Sequence, residues 1–201
     1  AFIQLWLNLA KENGLPGIHF VGLQQNIENG NIPLHKILTR DIPSQGSMLY
    51  KEILDNGYSA VHGRGYNRAE FLSRPLYEIV FRGICNRLFN HHIISKCDQR
   101  DINKHLYTEE DKWENVYPML FPQWDRTPRS GKKARIYTHS TPEVFGEQID
   151  QVLDLVEHKQ FEHKIVFLTS WNEWAEGNYV EPDLKFGRGY LDILQKKLLK
   201  E

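Results

Sequence analysis

Cysteine is scarce in this chain: two thiols, Cys85 and Cys97, among 201 residues, and no CxxC pair. Two cysteines cannot build the bridge network of a small secreted scaffold, and they fit a reducing compartment, the cytoplasm. Long apolar runs are missing too, and none approaches the roughly 20 residues that cross a bilayer. Neither sign of charge dominates, with 25 Lys and Arg against 26 Asp and Glu. No field therefore favours nucleic acid or an anionic membrane as partner. The phosphate loops GxGxxG and GxxxxGK do not occur, nor does HExxH. His91 and His92 adjoin in a polar stretch without a spaced partner, so the nine histidines predict no zinc site. No charged n-region with an apolar h-region opens the sequence. The start reads as mid-domain rather than as a signal peptide.

What is present is enough chain for one domain with a real core. Its apolar pattern alternates between strand and helix. Residues 2–12 predict a helix with Phe2, Leu5, Trp6 and Leu9 on one face, broken by "NGLPG". "IHFVGLQ" (18–24) and "YSAVHGR" (58–64) read as short strands separated by a helix near 47–55. Residues 68–92 keep partial helical spacing through Leu76, Val80, Ile84 and Leu88, and 93–112 read as a polar connection. "NVYPMLFPQWD" (115–125) is a third strand. The basic loop "RTPRSGKKAR" follows it, then a helix capped by Thr141 with Pro142 at its first position. That helix has a core face of Phe145, Ile149, Val152, Leu153 and Val156. "KIVFLTS" (164–170) is the fourth strand, and Leu191, Leu194 and Leu198 mark a last helix. His19 falls inside an apolar strand, as a core or layer residue.

Strands at intervals of about 40 to 60 residues, alternating with helices, imply parallel βα units. Four such units make half of a (β/α)8 barrel or a small doubly wound sheet. Either way, ligands bind where strands end. Polar and aromatic residues collect there: Gln24-Gln25-Asn26, His62-Gly63-Arg64, Gln123-Trp124-Asp125 and Trp171-Asn172-Glu173.

The most charged of these ends is "SWNEWAEGNYVEP", 170–182. Glu173 and Glu176 are three residues apart, close together in any tight turn. Adjacent carboxylates repel, which raises the pKa of one, and Trp171 and Trp174 would thin the water around them. An acid beside an ionised base is what glycosidic bond cleavage requires. A solvated acidic loop with tryptophans packed on the rim is the bland reading of the same residues.

The stretch "FLTSWNEWAEGNYVEPDLKFGRGYL" resembles the end of the WbsX-type domain, a glycosyltransferase-like domain found with polysaccharide-synthesis genes. "MLFPQWDRTPR", "TPEVF" and the opening "LWLNLAKENGLPGIHFV" match the same pattern. That domain is similar to glycoside hydrolase family 99, endo-acting α-mannosidases with a (β/α)8 barrel. The resemblance implies an α/β fold of TIM-barrel type, with residues 1–201 as the C-terminal half of the domain, about its last four βα units. It implies that Glu173 takes the proton of a neighbouring sugar 2-hydroxyl, which closes an anhydro-sugar. Glu176 then protonates the leaving oxygen and later activates water. Ala175 stands where the mannosidases carry His, which leaves the sugar open. The expected substrate is a mannose-like or bacterial surface-polysaccharide glycan, and no cofactor or metal is expected. Hydrolysis and transfer remain alternatives, as do a non-catalytic glycan-binding module and an inactive fragment. The missing first half of the barrel, or a second chain, is the expected protein partner.

Other residues carry two readings each. Trp124 stacks on a sugar and Asp125 bonds its hydroxyls, or Asp125 caps the loop and pairs with Arg126 or Arg129. Arg129 holds a phosphate or carboxylate bidentately, or it pairs with Asp125. His62 is a ligand contact beside the permissive glycines of "HGRGY", or a satisfied structural histidine. Trp171, Asn172 and Tyr179 are expected to line the cleft. Glu181 does the same or, followed by Pro182, fixes the loop.

Overall fold

The computed structural model describes residues 2–23, 38–39, 46–89 and 94–199, without the side chains of residues 46–49, 86, 87 and 89. The expected contributions of Gln24, Gln25 and Asn26, and the His91-His92 pair, lie outside the described residues. The described residues build a mixed α/β fold from pieces of parallel sheet.

Helix α1 (Phe2–Glu12) leads to strand β1 (Val21–Leu23), helix α2 (Gly46–Asp55) and strand β2 (Ala60–His62). Helices α3 (Tyr66–Ser73) and α4 (Leu76–Phe89) follow, broken at Pro75, which cannot donate to a continuing helix. Strand β3 (Ser95–Asp98) runs into helix α5 (Gln99–Asn103). Strands β4 (Val116–Tyr117) and β5 (Met119–Leu120) are separated only by Pro118. Next come helix α6 (Thr127–Ser130), strand β6 (Arg135–Thr138), helix α7 (Pro142–Glu157) and strand β7 (Phe167–Leu168). Strands β8 (Asn172–Glu173) and β9 (Asn178–Tyr179) precede helix α8 (Gly189–Leu198).

β1, β2 and β4 are parallel neighbours in that order, in register Val21 with Ala60 and Val61 with Val116. Just past Pro118 the same stretch of chain turns its other partner inward, and β5 pairs in parallel with β7. Proline has no N–H to give a ladder, but its carbonyl still accepts from Phe167 N at 3.0 Å. β2 thus passes over β3 to pair with β4, and β5 passes over β6 to pair with β7, both in parallel.

Four strands were not expected: β8 and β9, which lie in the acidic loop, and β3 and β6. β3 lies within residues 93–112, read as a polar connection, and pairs in parallel with β6, which directly follows the basic loop. The tetrapeptide "SKCD" turns only Cys97 fully inward and "RIYT" only Tyr137. Neither shows the apolar alternation by which a strand is recognised. The other strands are shorter than their apolar runs.

Helix α7 follows its signals. The Thr141 side chain accepts from Val144 N, Phe145, Ile149 and Val152 are buried against Leu120, Val180 and Tyr190, and Val156 is buried as well. The predicted apolar face of α1 is instead exposed, from 39% at Leu9 to 65% at Phe2, and only Ala10 of that helix is buried. His19 is not a core residue. It is exposed, and its Nε2 lies 2.8 Å from the Tyr117 hydroxyl, which also meets His163 Nδ1 at 2.9 Å.

One buried carboxylate makes folding pH-dependent. Asp111 is 5% exposed, and its carboxylate accepts from Thr108 N at 2.7 Å. Burial nevertheless pushes it up from 3.8 to about 6, against the pull of Thr108 and of the Lys159 charge. A carboxyl raised in the folded state stabilises below its unfolded value and loses that contribution as pH rises through the folded one. Between about pH 4 and 6, Asp111 should therefore cost the fold up to about 3 kcal/mol. Urea melts at both ends of that window should show Asp111→Asn losing this part of the pH slope relative to the natural chain.

Candidate active site

The loop after β7 is a tight antiparallel hairpin. Asn172 faces Tyr179 and Glu173 faces Asn178, with a single 3-10 turn over Trp174–Glu176 between the strands. Gly177 closes the turn in the left-handed region at φ 53. A side chain there would be strained, and its Cβ would lie 3.0 Å from both Cβ and the carbonyl oxygen of Asp125. The close approach is used: Asp125 N donates to the Glu176 carbonyl at 2.8 Å, and the Gln123 amide donates to the Tyr179 carbonyl at 3.4 Å. The acidic hairpin is thereby fastened to the loop that follows β5. Asn178, 1% exposed, accepts from Ser170 N at 2.8 Å and fixes its base.

This fastening brings four charges together. Glu176 Oε2 accepts from the Trp124 indole N–H at 3.0 Å. Its Oε1 meets Arg129 Nη1 at 3.0 Å and Arg126 Nη2 at 3.1 Å. The same Arg129 nitrogen stands 3.9 Å from Glu173 Oε1. The two carboxylate oxygens are therefore no more than about 7 Å apart, within the spread of paired glycosidase carboxyls. Their surroundings differ. The Glu176 side chain is 14% exposed and ringed by donors, whereas that of Glu173 is 43% exposed and open to a ligand. A held carboxylate beside an accessible one divides the labour as proton transfer at two positions would need.

Two aromatics at the hairpin are displayed rather than buried. Trp174, 47% exposed, stacks on Tyr179 at 3.7 Å between ring centroids, 16° from parallel. Trp171 is 53% exposed, and Asn172 is exposed beside it. Such faces accept the C–H surface of a sugar ring. Glu181 accepts from the Trp174 N–H at 2.6 Å, which matches its loop-fixing reading. The Tyr179 hydroxyl donates to Asp183 at 3.1 Å, and burial followed by that acceptor pushes its pKa up.

Other candidates stand elsewhere. Trp124 is no stacking platform: it is 5% exposed, enclosed by Tyr66, Phe121 and Tyr137, with the Arg135 guanidinium 5.6 Å from its ring centre. What it offers the site is its N–H. Asp125 Oδ1 accepts from Thr127 N at 2.9 Å and from its hydroxyl at 2.6 Å, the capping arrangement, and neither Arg126 nor Arg129 pairs with it. His62 is 8% exposed, bonds the Tyr117 carbonyl at 3.3 Å and packs on Phe167. Burial, with Arg64 adding to it, lowers its pKa against the effect of that carbonyl. Among the described residues, no contact joins His62 to the carboxylate pair. Arg126 is the site residue the sequence did not single out; its position directly after Trp124-Asp125 was the available signal.

The family model described as "Glycosyltransferase WbsX" matches residues 1–194. The chain belongs to this family. Two curated relatives from two strains of Xanthomonas campestris pv. campestris, each described as "Uncharacterized protein WxcX", are 32% identical to this WbsX-family chain over 107 residues. The match covers 51% of the chain and 15% of each relative, so the chain spans a minor part of the curated proteins it resembles. No solved structure matches it. In this WbsX-family member, no group of three metal-binding side chains occurs among the described residues, and no described helix is long and apolar enough to cross a membrane.

Proposed function

We propose that this chain is the C-terminal half of a (β/α)8 barrel that breaks or transfers glycosidic bonds in a mannose-like or surface-polysaccharide glycan, with Glu173 and Glu176 as the reacting pair. The observation that carries the reading is the placement of both carboxylates about one arginine nitrogen, on a hairpin that follows a parallel strand. Ligands of parallel α/β folds bind at such strand ends. The parallel pairing of β1, β2 and β4 and of β5 with β7 suits the βα units of a barrel. Exposed apolar residues on α1 and on α4, such as Phe81 and Leu88, suit burial against the first half of that barrel. Two free cysteines fit the cytoplasm.

In the reaction, Glu173 takes a proton from the sugar 2-hydroxyl, whose oxygen attacks the anomeric carbon as the bond to the leaving oxygen breaks. Glu176 supplies the proton that this oxygen needs, then draws one from the incoming water or sugar hydroxyl as it attacks the anomeric carbon; the anhydro C–O bond breaks and its oxygen takes back the proton held by Glu173. Admission of water gives hydrolysis, and admission of a second sugar gives transfer. Trp171 and the Trp174–Tyr179 stack present faces for the glycan.

One observation favours a second reading, glycan binding without turnover: both oxygens of Glu176 already accept bonds from Trp124, Arg126 and Arg129. Incubation with a defined mannan, and separately with GDP- and UDP-sugars plus acceptor, separates the cases. Released oligosaccharide indicates hydrolysis, and consumed nucleotide sugar with an elongated acceptor indicates transfer. Glycan that binds with neither outcome removes the enzyme reading.

A further inference from the structure

We infer that Arg129 and Arg126 form an anion-binding edge of this site, so that the glycan it processes carries a carboxylate or phosphate next to the reacting bond. The inference rests on the reading of Glu173 and Glu176 as the reacting pair. Arg129 is the link between them: its Nη1 is held by Glu176 and stands near Glu173, while the side chain remains 57% exposed. Among the described residues, its Nε and Nη2 meet no acceptor. Those two donors form one straight edge of the guanidinium, the edge whose parallel N–H groups match a carboxylate or phosphate. Pinning Nη1 leaves that edge oriented but unfilled, so little side-chain freedom is lost when an anion binds.

The neighbours support an anion rather than a neutral hydroxyl. Arg126 is also short of acceptors, since its Nε is buried without a partner among the described residues. Residues 126–133 contain Arg126, Arg129, Lys132 and Lys133 and no acid, and both lysines are exposed. The acids that face this loop are engaged: Glu176 by both arginines, Asp125 by Thr127, and Glu181 by Trp174. Glu173 is the accessible one. An anion on the free edge of Arg129 would sit beside it, in position to draw the guanidinium partly away and leave Glu173 to the substrate hydroxyl.

The test is calorimetric or NMR titration of the protein with inorganic phosphate and with glucuronate at low ionic strength. Saturable binding is expected, weakened at least about tenfold by Arg129→Gln and less by Arg129→Lys, which keeps the charge but loses the fork. Glu176→Gln should tighten binding several-fold, because the internal competitor for both arginines is gone. A uronate-bearing oligosaccharide and a nucleoside-diphosphate sugar, offered as competitors, tell the carboxylate source from the phosphate source. Absent binding, or binding indifferent to Arg129→Gln, overturns the inference. Anion binding is read without turnover, so it survives if the glutamates prove inactive. Conversely, equal turnover of neutral and charged glycans, unchanged in Arg129→Gln, leaves the catalytic reading intact and removes this one.

Discussion

Glu176→Gln is expected to lower glycan turnover about 10³-fold, the scale of a positioned acid–base group, with little change in folding. Glutamine keeps the shape and an acceptor oxygen for the Trp124 N–H, but it has no proton to give. Its amide group would face donors, at a cost of about 1 kcal/mol. The freed guanidiniums are partly open to water, with Arg129 57% and Arg126 36% exposed, so solvent replaces much of the lost pairing. The roles of the two glutamates can then be told apart chemically. A substrate whose leaving group departs without a proton, such as a glycosyl fluoride, offered with azide, a nucleophile that needs no base, should recover much of the loss in Glu176→Gln. It should recover none in Glu173→Gln, where attack by the 2-hydroxyl is what fails. Turnover of both variants at the natural rate would end the assignment. Equal recovery in both would reverse or merge the roles.

The longer helices were legible because their signals are local, whereas the short α5 and α6 fell in stretches read as a polar connection and a basic loop. Thr141 and Pro142 mark the start of α7, and the spacing of Phe145, Ile149 and Val152 marks its inner face. The strands at 60–62, 116–120 and 167–168 were legible as apolar runs, though not their short hydrogen-bonded cores. β3 and β6 were not legible, because each turns a single residue fully inward and is held by its partner strand rather than by an apolar period. In the site, the closeness of Glu173 and Glu176 follows from their spacing in a turn. What surrounds them does not: the Arg129–Glu176 contact joins residues 47 apart, and no local pattern announces it. The burial of Trp124 was illegible for a related reason. "QWD" reads alike whether the ring faces a sugar or a core, and Tyr66 and Tyr137, which enclose it, come from α3 and β6.

That enclosure leads to the largest expected effect on stability, in Glu70→Ala. Glu70 is 6% exposed on α3. Its Oε1 accepts from the Tyr137 hydroxyl at 2.7 Å and pairs with Arg135 Nε at 2.5 Å, and its Oε2 stands 3.6 Å from Arg74. Removing it leaves two guanidiniums and a buried hydroxyl short of an anion. Breaking a buried pair in this way costs about 3–5 kcal/mol, because the stranded charge stays desolvated. For a chain of this size the melting temperature should fall by about 10 °C. The loss should also reach the candidate active site. The Arg135 guanidinium lies 4.9 Å from the Tyr66 ring centre and 5.6 Å from that of Trp124, and Trp124 holds Glu176. A double variant, Glu70→Leu with Arg135→Met, separates charge from position. An apolar pair of similar volume should regain most of the stability but leave Trp124 without the cation against its face. If turnover stays low in this double variant while the melting temperature recovers, the pair positions the tryptophan. If both recover together, its contribution is to folding alone, and Glu176 is held by its two arginines without help from behind.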